Sequence, residues 1–512
     1  MSRKCKEVPV ELHRSGRRVA DLGAALCSSI DPGGALRAES VRPTGGIVQL
    51  LIDHFRCPAD GLCYTVDPHL NSGDGYFKFG PDALCYGQSA SATPAHNVTD
   101  LLPDVGADVS IQGSTVQLPF DPAQVIDNLR LERYHPASPI ANGFLSSELV
   151  RKMYYAVRPG LSVAVRRHLQ KLYLRGWDQI QFPKWPVDTS VENILETLLA
   201  FGMRARKISA IPFIWFWPEG YPSCTMMTHD VETPAGLRFC PRLIDLDDSF
   251  GVKSSFQLIP EKRYTITPSI LEDIRGRGFE VNVHDSNHDG QLMRNRGEFL
   301  RRVERINAYG RDFNARGFRS AGMYRNADWY DALGFSYDMS IPTVAHLEPQ
   351  QGGCCTVFPF FIGNILELPL TTIQDYSLFH ILKLDSIDLW KTQIARIRSK
   401  SGLISFIVHP DYIIEHTARR IYTQLLAYLQ ELHSCGHTWL ALPGEVAEWW
   451  RLRSRMQLFY KDRAWHVAGE GSERATVAYA VLRDGGISYD LAGPTTSRGR
   501  ESASFCGPSS PC

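Results

Sequence analysis

Residues 279–290 read FEVNVHDSNHDG. Phe279, Val281 and Val283 alternate with polar residues as far as His284, which is the two-residue period of a β-strand. His284 closes that strand and His288 follows four residues later. The spacing alone decides nothing: the chain holds 16 histidines in 512 residues, and His433 and His437 in ELHSCGH share it. Gly436 breaks that second pair at a helix end. If the chain turns helical after His284, both rings of the first pair face one way, as two imidazole ligands require. Asp285 and Asp289 then stand where they can orient the rings as hydrogen-bond acceptors.

Working outward, similar segments recur on both sides: TMMTHD (225–230), SSFQLI (254–259), GFRSAG (317–322), YDMSI (337–341), ILELPL (365–370), LISFIVH (403–409) and TWLAL (438–442). Helix signals lie between them. Thr267-Pro268 opens SILEDIRGRG, Trp390, Ile394 and Ile397 share one helical face, and ARRIYTQLLAYLQELHSCG ends on Gly436. Strands alternating with helices predict parallel βα units, in an open sheet or a barrel. In both architectures the chemistry collects at the C-terminal ends of the strands.

Polar residues interrupt these apolar segments at their ends. His229, Asp230 and Glu232 close the first, Arg319 lies in GFRSAG, Asp338 and Ser340 in YDMSI, and His409 ends LISFIVH. Burying one ionisable group costs several kcal/mol unless it is paired or ligated, so several at neighbouring strand ends point to one shared site. Two histidines with one carboxylate suit Zn²⁺ or another divalent ion with positions left for water and substrate.

The flanks differ in character. Residues 1–45 are a Gly-, Arg- and Ser-rich lead-in. From GIVQLLIDHF (46–55) to about residue 130, short apolar runs between Gly, Pro and Asp clusters predict small strands and turns. Residues 146–178 and SVENILETLLAFGMR (190–204) carry helical patterns, so 46–205 reads as an α+β domain without a recognisable motif. The βα region spans 206–452. Alternation around Asp484-Gly485-Gly486 predicts a hairpin in a small β appendage at 453–493, and the polar tail 494–512 reads as disordered.

Bulk properties exclude some partners. Fifty-five basic and 55 acidic residues balance, which argues against a nucleic-acid or membrane-surface ligand. Twelve cysteines form no CxxC pair and read as reduced thiols. The opening MSRKCKEVPVELHRSGRR leads into no apolar run, and ISAIPFIWFWPEGYP is too short and Pro-interrupted to span a bilayer. The expectation is a cytoplasmic protein without a transmembrane segment.

THDVE (228–232), HDSNH (284–288), FRSAG (318–322), YDMSIP (337–342) and FIVHP (406–410) resemble, in order and approximate spacing, the motifs of the polysaccharide deacetylases of carbohydrate esterase family 4. The resemblance covers about 222–445. It implies a distorted (β/α) barrel of about seven parallel strands, with active residues at the strand ends. It also implies metal-dependent removal of N-acetyl groups from an N-acetylated sugar or polysaccharide, an envelope glycan or its precursor. Residue by residue, it makes Asp230 the general base, His284 and His288 metal ligands, Arg319 the partner of the base, and His409 the acid that protonates the leaving amine. A backbone N–H near Gly322–Met323 serves the oxyanion, beside the metal.

The chain departs from the family in two places. The second aspartate of the first motif is Val231 here, and Glu232, one residue further on, takes its place as third ligand. The converse assignment, Asp230 on the metal and Glu232 as base, stays open. Ala321 stands where the third motif commonly has proline. Two alternatives accompany this reading: a non-catalytic carbohydrate-binding or assembly protein, and an amide hydrolase for a small non-sugar substrate.

Overall fold

Nine strands between Cys224 and Leu440 form one sheet in the computed structural model, which describes residues 45–134 and 172–491 apart from 59, 92, 100 and 173. They are β1 (Cys224–Val231), β2 (Ser254–Leu258), β3 (Glu280–His284), β4 (Gly317–Arg319), β5 (Tyr337–Asp338), β6 (Phe360–Ile362), β7 (Ile365–Glu367), β8 (Leu403–Ile407) and β9 (Trp439–Leu440). The spatial order is β6-β7-β5-β4-β3-β2-β1-β8, and β9 pairs with the first residues of β1. From β7 to β8 seven strands run parallel; β6 alone is antiparallel, and the sequence reading does not contain it. β1, β2 and β8 are buried along their whole length, and β8, LISFI, is a nearly continuous apolar run, as a strand covered on both faces requires.

The two ends of the parallel set meet through side chains. Thr371 donates from its backbone N–H to Ser405 Oγ (2.9 Å) and from Oγ1 to the Leu403 carbonyl (2.8 Å). Thr372 Oγ1 donates to the Ser405 carbonyl (2.7 Å), and Ser405 Oγ to that of Pro369 (2.6 Å). Hydroxyls thus satisfy backbone groups that strand pairing would otherwise hold, and the sheet is curled rather than open.

Helices α1 (Pro234–Ser249), α2 (Pro268–Gly276), α3 (Arg296–Asp312), α4 (Asp388–Ser399), α5 (His416–Ser434) and α6 (Pro443–Arg455) cross over between strands or follow the last one. Thr267 caps α2 with Pro268 in its first turn, and Trp390, Ile394 and Ile397 of α4 are buried, as the sequence predicts.

Before the sheet, Gly45–Phe55 is a helix, which corrects the expected strands and turns: Leu51 and Phe55, four apart, are both fully buried on one face. The expected short strands follow from Cys63 to Leu118. A second unexpected helix, Pro122–Arg130, starts at an Asp121 cap. Ser190–Ala205 is helical as expected, whereas most of 146–178, the lead-in before 45 and the tail after 491 lie outside the described residues.

At the other end, Val477–Arg483 and Gly486–Leu491 form the predicted hairpin, with φ of 48° and 83° at Asp484 and Gly485. Val477–Arg483 also pairs with Ala210–Ile214, so the C-terminal hairpin shares a sheet with the strand before β1. The main apolar cluster holds residues from Ile47 to Ala480, across the boundaries expected at 205 and 452. Arg453 ties these pieces together. Its buried guanidinium donates to the carbonyls of His54, Ile214 and Trp215 and lies over the rings of Phe216 and Trp450. The eight cysteines among the described residues are free thiols, and no helix among these residues is long and apolar enough to cross a membrane.

Candidate active site

Strand alternation sorts the end of β1. Asp230 and Glu232, two residues apart, both face the C-terminal mouth of the sheet, while Val231 between them packs in the apolar core. His229 also turns away. Its ring bridges the Val408 carbonyl and Asp247 of α1, both at 2.9 Å, so it is part of the scaffold and not of the site.

Asp230 is pinned by Arg319, whose Nη1 donates to Oδ1 at 2.6 Å and to Thr228 Oγ1 at 2.8 Å; Nε donates to the Met339 carbonyl (3.0 Å). Both side chains are buried. Burial works to raise the Asp230 pKa, but Arg319, His284 and His409 outweigh it and hold the carboxyl below its ordinary value. Asp338 and Ser340 lie behind this pair: Asp338 accepts the hydroxyl and N–H of Ser340, both at 2.8 Å, and Ser340 Oγ accepts the N–H of Ser320 (2.9 Å).

β4 and β3 are in register at Arg319 and His284. His284 Nδ1 lies 3.2 Å from the Arg319 carbonyl, which can only accept, so Nδ1 carries the proton and Nε2 presents its lone pair. Burial pushes this histidine down to about 4, so the ring is neutral. Nε2 faces Asp230 Oδ2 at 3.7 Å and, buried, has no hydrogen-bond partner among the described residues. His288 Nε2 lies 2.9 Å from Glu232 Oε1, and the two imidazole centroids are 4.8 Å apart.

The rings converge for a reason other than the expected one. No helix starts directly after β3; instead Asp285 and His288 both adopt left-handed φ of 56°, which turns the loop that carries His288. Nor do the neighbouring aspartates orient the rings. Asp285 Oδ1 accepts from the Ser286 N–H (2.5 Å), and Asp289 is engaged by Arg302 and the Gln291 N–H. The backbone carbonyl of Arg319 performs that task for His284. The pair His433 and His437 has no such role: His433 bonds the Thr438 carbonyl and stacks on Tyr221.

One donor atom each from Glu232, His284 and His288 lies within 4.8 Å of the others. Two imidazoles, one of which (His284) aims an orphaned buried Nε2 into the site, and a carboxylate make a donor set that fits a divalent ion. Burial acts to raise the Glu232 pKa, yet His288 and the other histidines hold it well below its usual range. Asp411 fixes the backbone here: it accepts the Glu232 N–H (3.1 Å) and the Thr233 hydroxyl. A Cβ on Gly236 would meet Asp411 Oδ2 at 2.5 Å, so only glycine fits beneath this carboxylate.

His409 follows β8, with Nε2 3.7 Å from Glu232 Oε1. Its Nδ1 lies 2.6 Å from Asp375 Oδ1, and its backbone N–H donates to Asp375 Oδ2 at 2.7 Å. Burial opposes the charged ring, but Asp375, Glu232 and Asp230 raise it to about 10. Sequence reading misses Asp375 and Asp411. The signal for Asp375 was a carboxylate in the segment that follows the strand ILELPL, on the C-terminal side where the site collects. Gly322 and Met323, the expected oxyanion donors, occupy a turn directly after Arg319 with φ of 60° and 54°.

No family model matches the chain, and no curated protein matches it. Solved structures do. Polysaccharide deacetylases stand among them. A putative polysaccharide deacetylase from Mycobacterium smegmatis is 18% identical, with 48% of this chain and 96% of that one covered and a TM-score of 0.38. The peptidoglycan deacetylase PdaC from Bacillus subtilis is 12% identical over 44% of this chain and 90% of its own, with a TM-score of 0.29. Puue allantoinase is also similar, at 12% identity, 46% and 92% coverage and a TM-score of 0.36. Likeness this remote leaves the function to be argued from the geometry of the site itself.

Proposed function

We propose that the protein is a metal-dependent hydrolase that removes N-acetyl groups from an N-acetylated sugar or polysaccharide. The observation that carries this reading is the meeting of Glu232, His284 and His288 between two separately buttressed groups, Asp230 on Arg319 and His409 on Asp375. An amide hydrolase needs a base for water, an acid for the leaving nitrogen and an electrophile between them. This mouth offers a candidate for each.

Glu232, His284 and His288 would hold a divalent ion such as zinc, which when bound polarises the amide carbonyl and acidifies water. Asp230, kept ionised by Arg319, accepts the proton of the attacking water. His409, kept cationic by Asp375, delivers a proton from Nε2 to the departing nitrogen. The N–H groups of the turn Ala321–Met323 face the charge that develops on the carbonyl oxygen. The products are acetate and a free amine on the sugar. Tyr412, whose ring lies 5.0 Å from that of His409 and 5.6 Å from that of Tyr376, supplies an aromatic wall suited to a sugar face.

Zinc-loaded protein should release acetate from N-acetylglucosamine oligomers. Hydrolysis of small non-sugar amides, with none of the acetylated sugars turned over, would replace the sugar by a small amide. Glycan binding without any turnover would remove the catalytic reading altogether.

A further inference from the structure

An ion pair buried between the N-terminal region and the strand-end loops has no place in the chemistry described so far. After the helix Pro122–Arg130 the chain turns against the sheet. Leu131 packs on the cluster containing Phe318 and Tyr330, and Glu132 takes a left-handed φ of 57°. Glu132 Oε2 accepts from Arg325 Nε at 2.6 Å, and Oε1 accepts from Nη2, a two-pronged contact. The side chains are 1% exposed for Arg325 and 11% for Glu132.

The rest of the guanidinium is spent on backbone carbonyls of two segments, the turn at Met323 and the loop at 350–351. Nη1 donates to the carbonyls of Met323 (2.8 Å) and Gln350 (3.2 Å), and Nη2 to that of Gln351 (3.3 Å). Tyr134 OH donates to the Gly353 carbonyl at 2.6 Å, and a Cβ on Gly352 would meet Glu132 Oε1 at 2.6 Å. The loop is therefore wrapped closely around the pair.

Taking both charges out of water offsets most of their attraction, so such a pair is a poor source of net stability and a good source of fixed geometry. The geometry it fixes is costly by itself. Met323 is a non-glycine residue at φ 54°, a conformation that persists only where the surroundings over-determine it. The Arg325–Met323 bond is one such restraint, and Glu132 orients Arg325.

We propose that Glu132 is a positioning residue, which through Arg325 holds the turn Ala321–Met323 in the conformation the hydrolysis uses. The effect on rate rests on the deacetylase reading above; the effect on the turn does not. The N-terminal region then completes the site rather than accompanying it.

The test compares wild type with Glu132→Gln and with the double variant Glu132→Met/Arg325→Met, which removes both charges and leaves no buried ion uncompensated. Two quantities are read: amide hydrogen exchange of residues 320–325, and kcat and KM for acetate release from an N-acetylglucosamine oligomer. Exchange in the turn should rise in both variants, and kcat should fall about 10- to 100-fold with KM and zinc affinity unchanged, as expected when reacting groups are displaced by about 1 Å. If Glu132→Gln does not fold, the double variant decides alone. A turn that stays protected overturns the proposal, and so does faster exchange with unchanged kcat. If wild type itself releases no acetate, the deacetylase reading fails, and the exchange data still decide whether Glu132 holds the turn.

Discussion

Asp375 grips His409 twice: Oδ1 lies 2.6 Å from the ring Nδ1, and Oδ2 accepts the residue's own N–H at 2.7 Å. One carboxylate therefore sets both the charge and the direction of the ring, and Nε2 is left facing the mouth of the site. Burial acts to lower the ring from its ordinary value of 6.5, and Asp375, with Glu232 and Asp230, raises it to about 10.

A raised folded-state pKa contributes stability that is complete below the unfolded value of 6.5 and is lost as pH climbs through about 10. Wild-type stability in urea should therefore decline between those limits. Asp375→Asn should flatten the decline, destabilise the protein at pH 7 by about 3 kcal/mol and lower kcat by about 100-fold. An unchanged slope of stability against pH in the variant would remove the charge-fixing role.

The two carboxylates of β1 should separate by what their loss removes. Glu232→Ala should empty the site, read as bound zinc per chain after dialysis. Asp230→Asn should keep its zinc and lose kcat by about 10² to 10⁴, the usual range for a general base. If the zinc loss falls on Asp230→Asn instead, the roles of the two residues are exchanged. His284→Ala with full zinc and full activity would sink the metal assignment as a whole.

Asp411 anchors the backbone of Glu232 without approaching the ligand atoms. Its loss should loosen the carboxylate, and Asp411→Ala should weaken zinc binding about 10- to 100-fold, the range for groups that orient metal ligands. Gly236→Ala, which drives a methyl group into the same carboxylate, should shift zinc affinity in the same direction. Competition against a chromogenic chelator measures both; unaltered affinity in both would mean that Asp411 serves the helix end alone.

Acid should weaken the metal-free protein through His284. Its folded-state pKa is pushed by burial to about 4, against 6.5 when exposed, so the unfolded chain binds a proton that the folded one refuses. Stability contributed by the neutral ring is present above pH 6.5 and is lost as pH falls toward about 4. Melting temperatures in chelator should drop across this window, and less so in His284→Gln. Equal drops in the two proteins would assign the acid sensitivity elsewhere.

What local sequence determined is what local physics controls. Alternation in FEVNVH marked one strand and placed His284 at its end, because side-chain direction in a strand has a period of two, and the polar end of TMMTHD placed Asp230 likewise. The same period separates Asp230 and Glu232 from Val231. Thr267-Pro268 and Asp484-Gly485 declared a helix start and a hairpin, because φ preferences and caps act within a few residues. Where a short apolar run fits both periods, as in GIVQLLIDHF, local pattern pointed to strands and tertiary packing of Leu51 and Phe55 made a helix.

Tertiary structure alone decided the contacts between distant segments. Asp375 meets His409 across 34 residues, Asp411 meets Glu232 across 179, and Arg325 meets Glu132 across 193. No periodicity links such positions, since the sheet's curl and the seam at Thr371 and Ser405 bring them together. The convergence of FEVNVHDSNHDG likewise came from left-handed turns at Asp285 and His288, a conformation that Asp and His adopt more readily than most residues but that local sequence does not impose. The sequence thus offered the candidate ligands, and the fold decided what holds them in place.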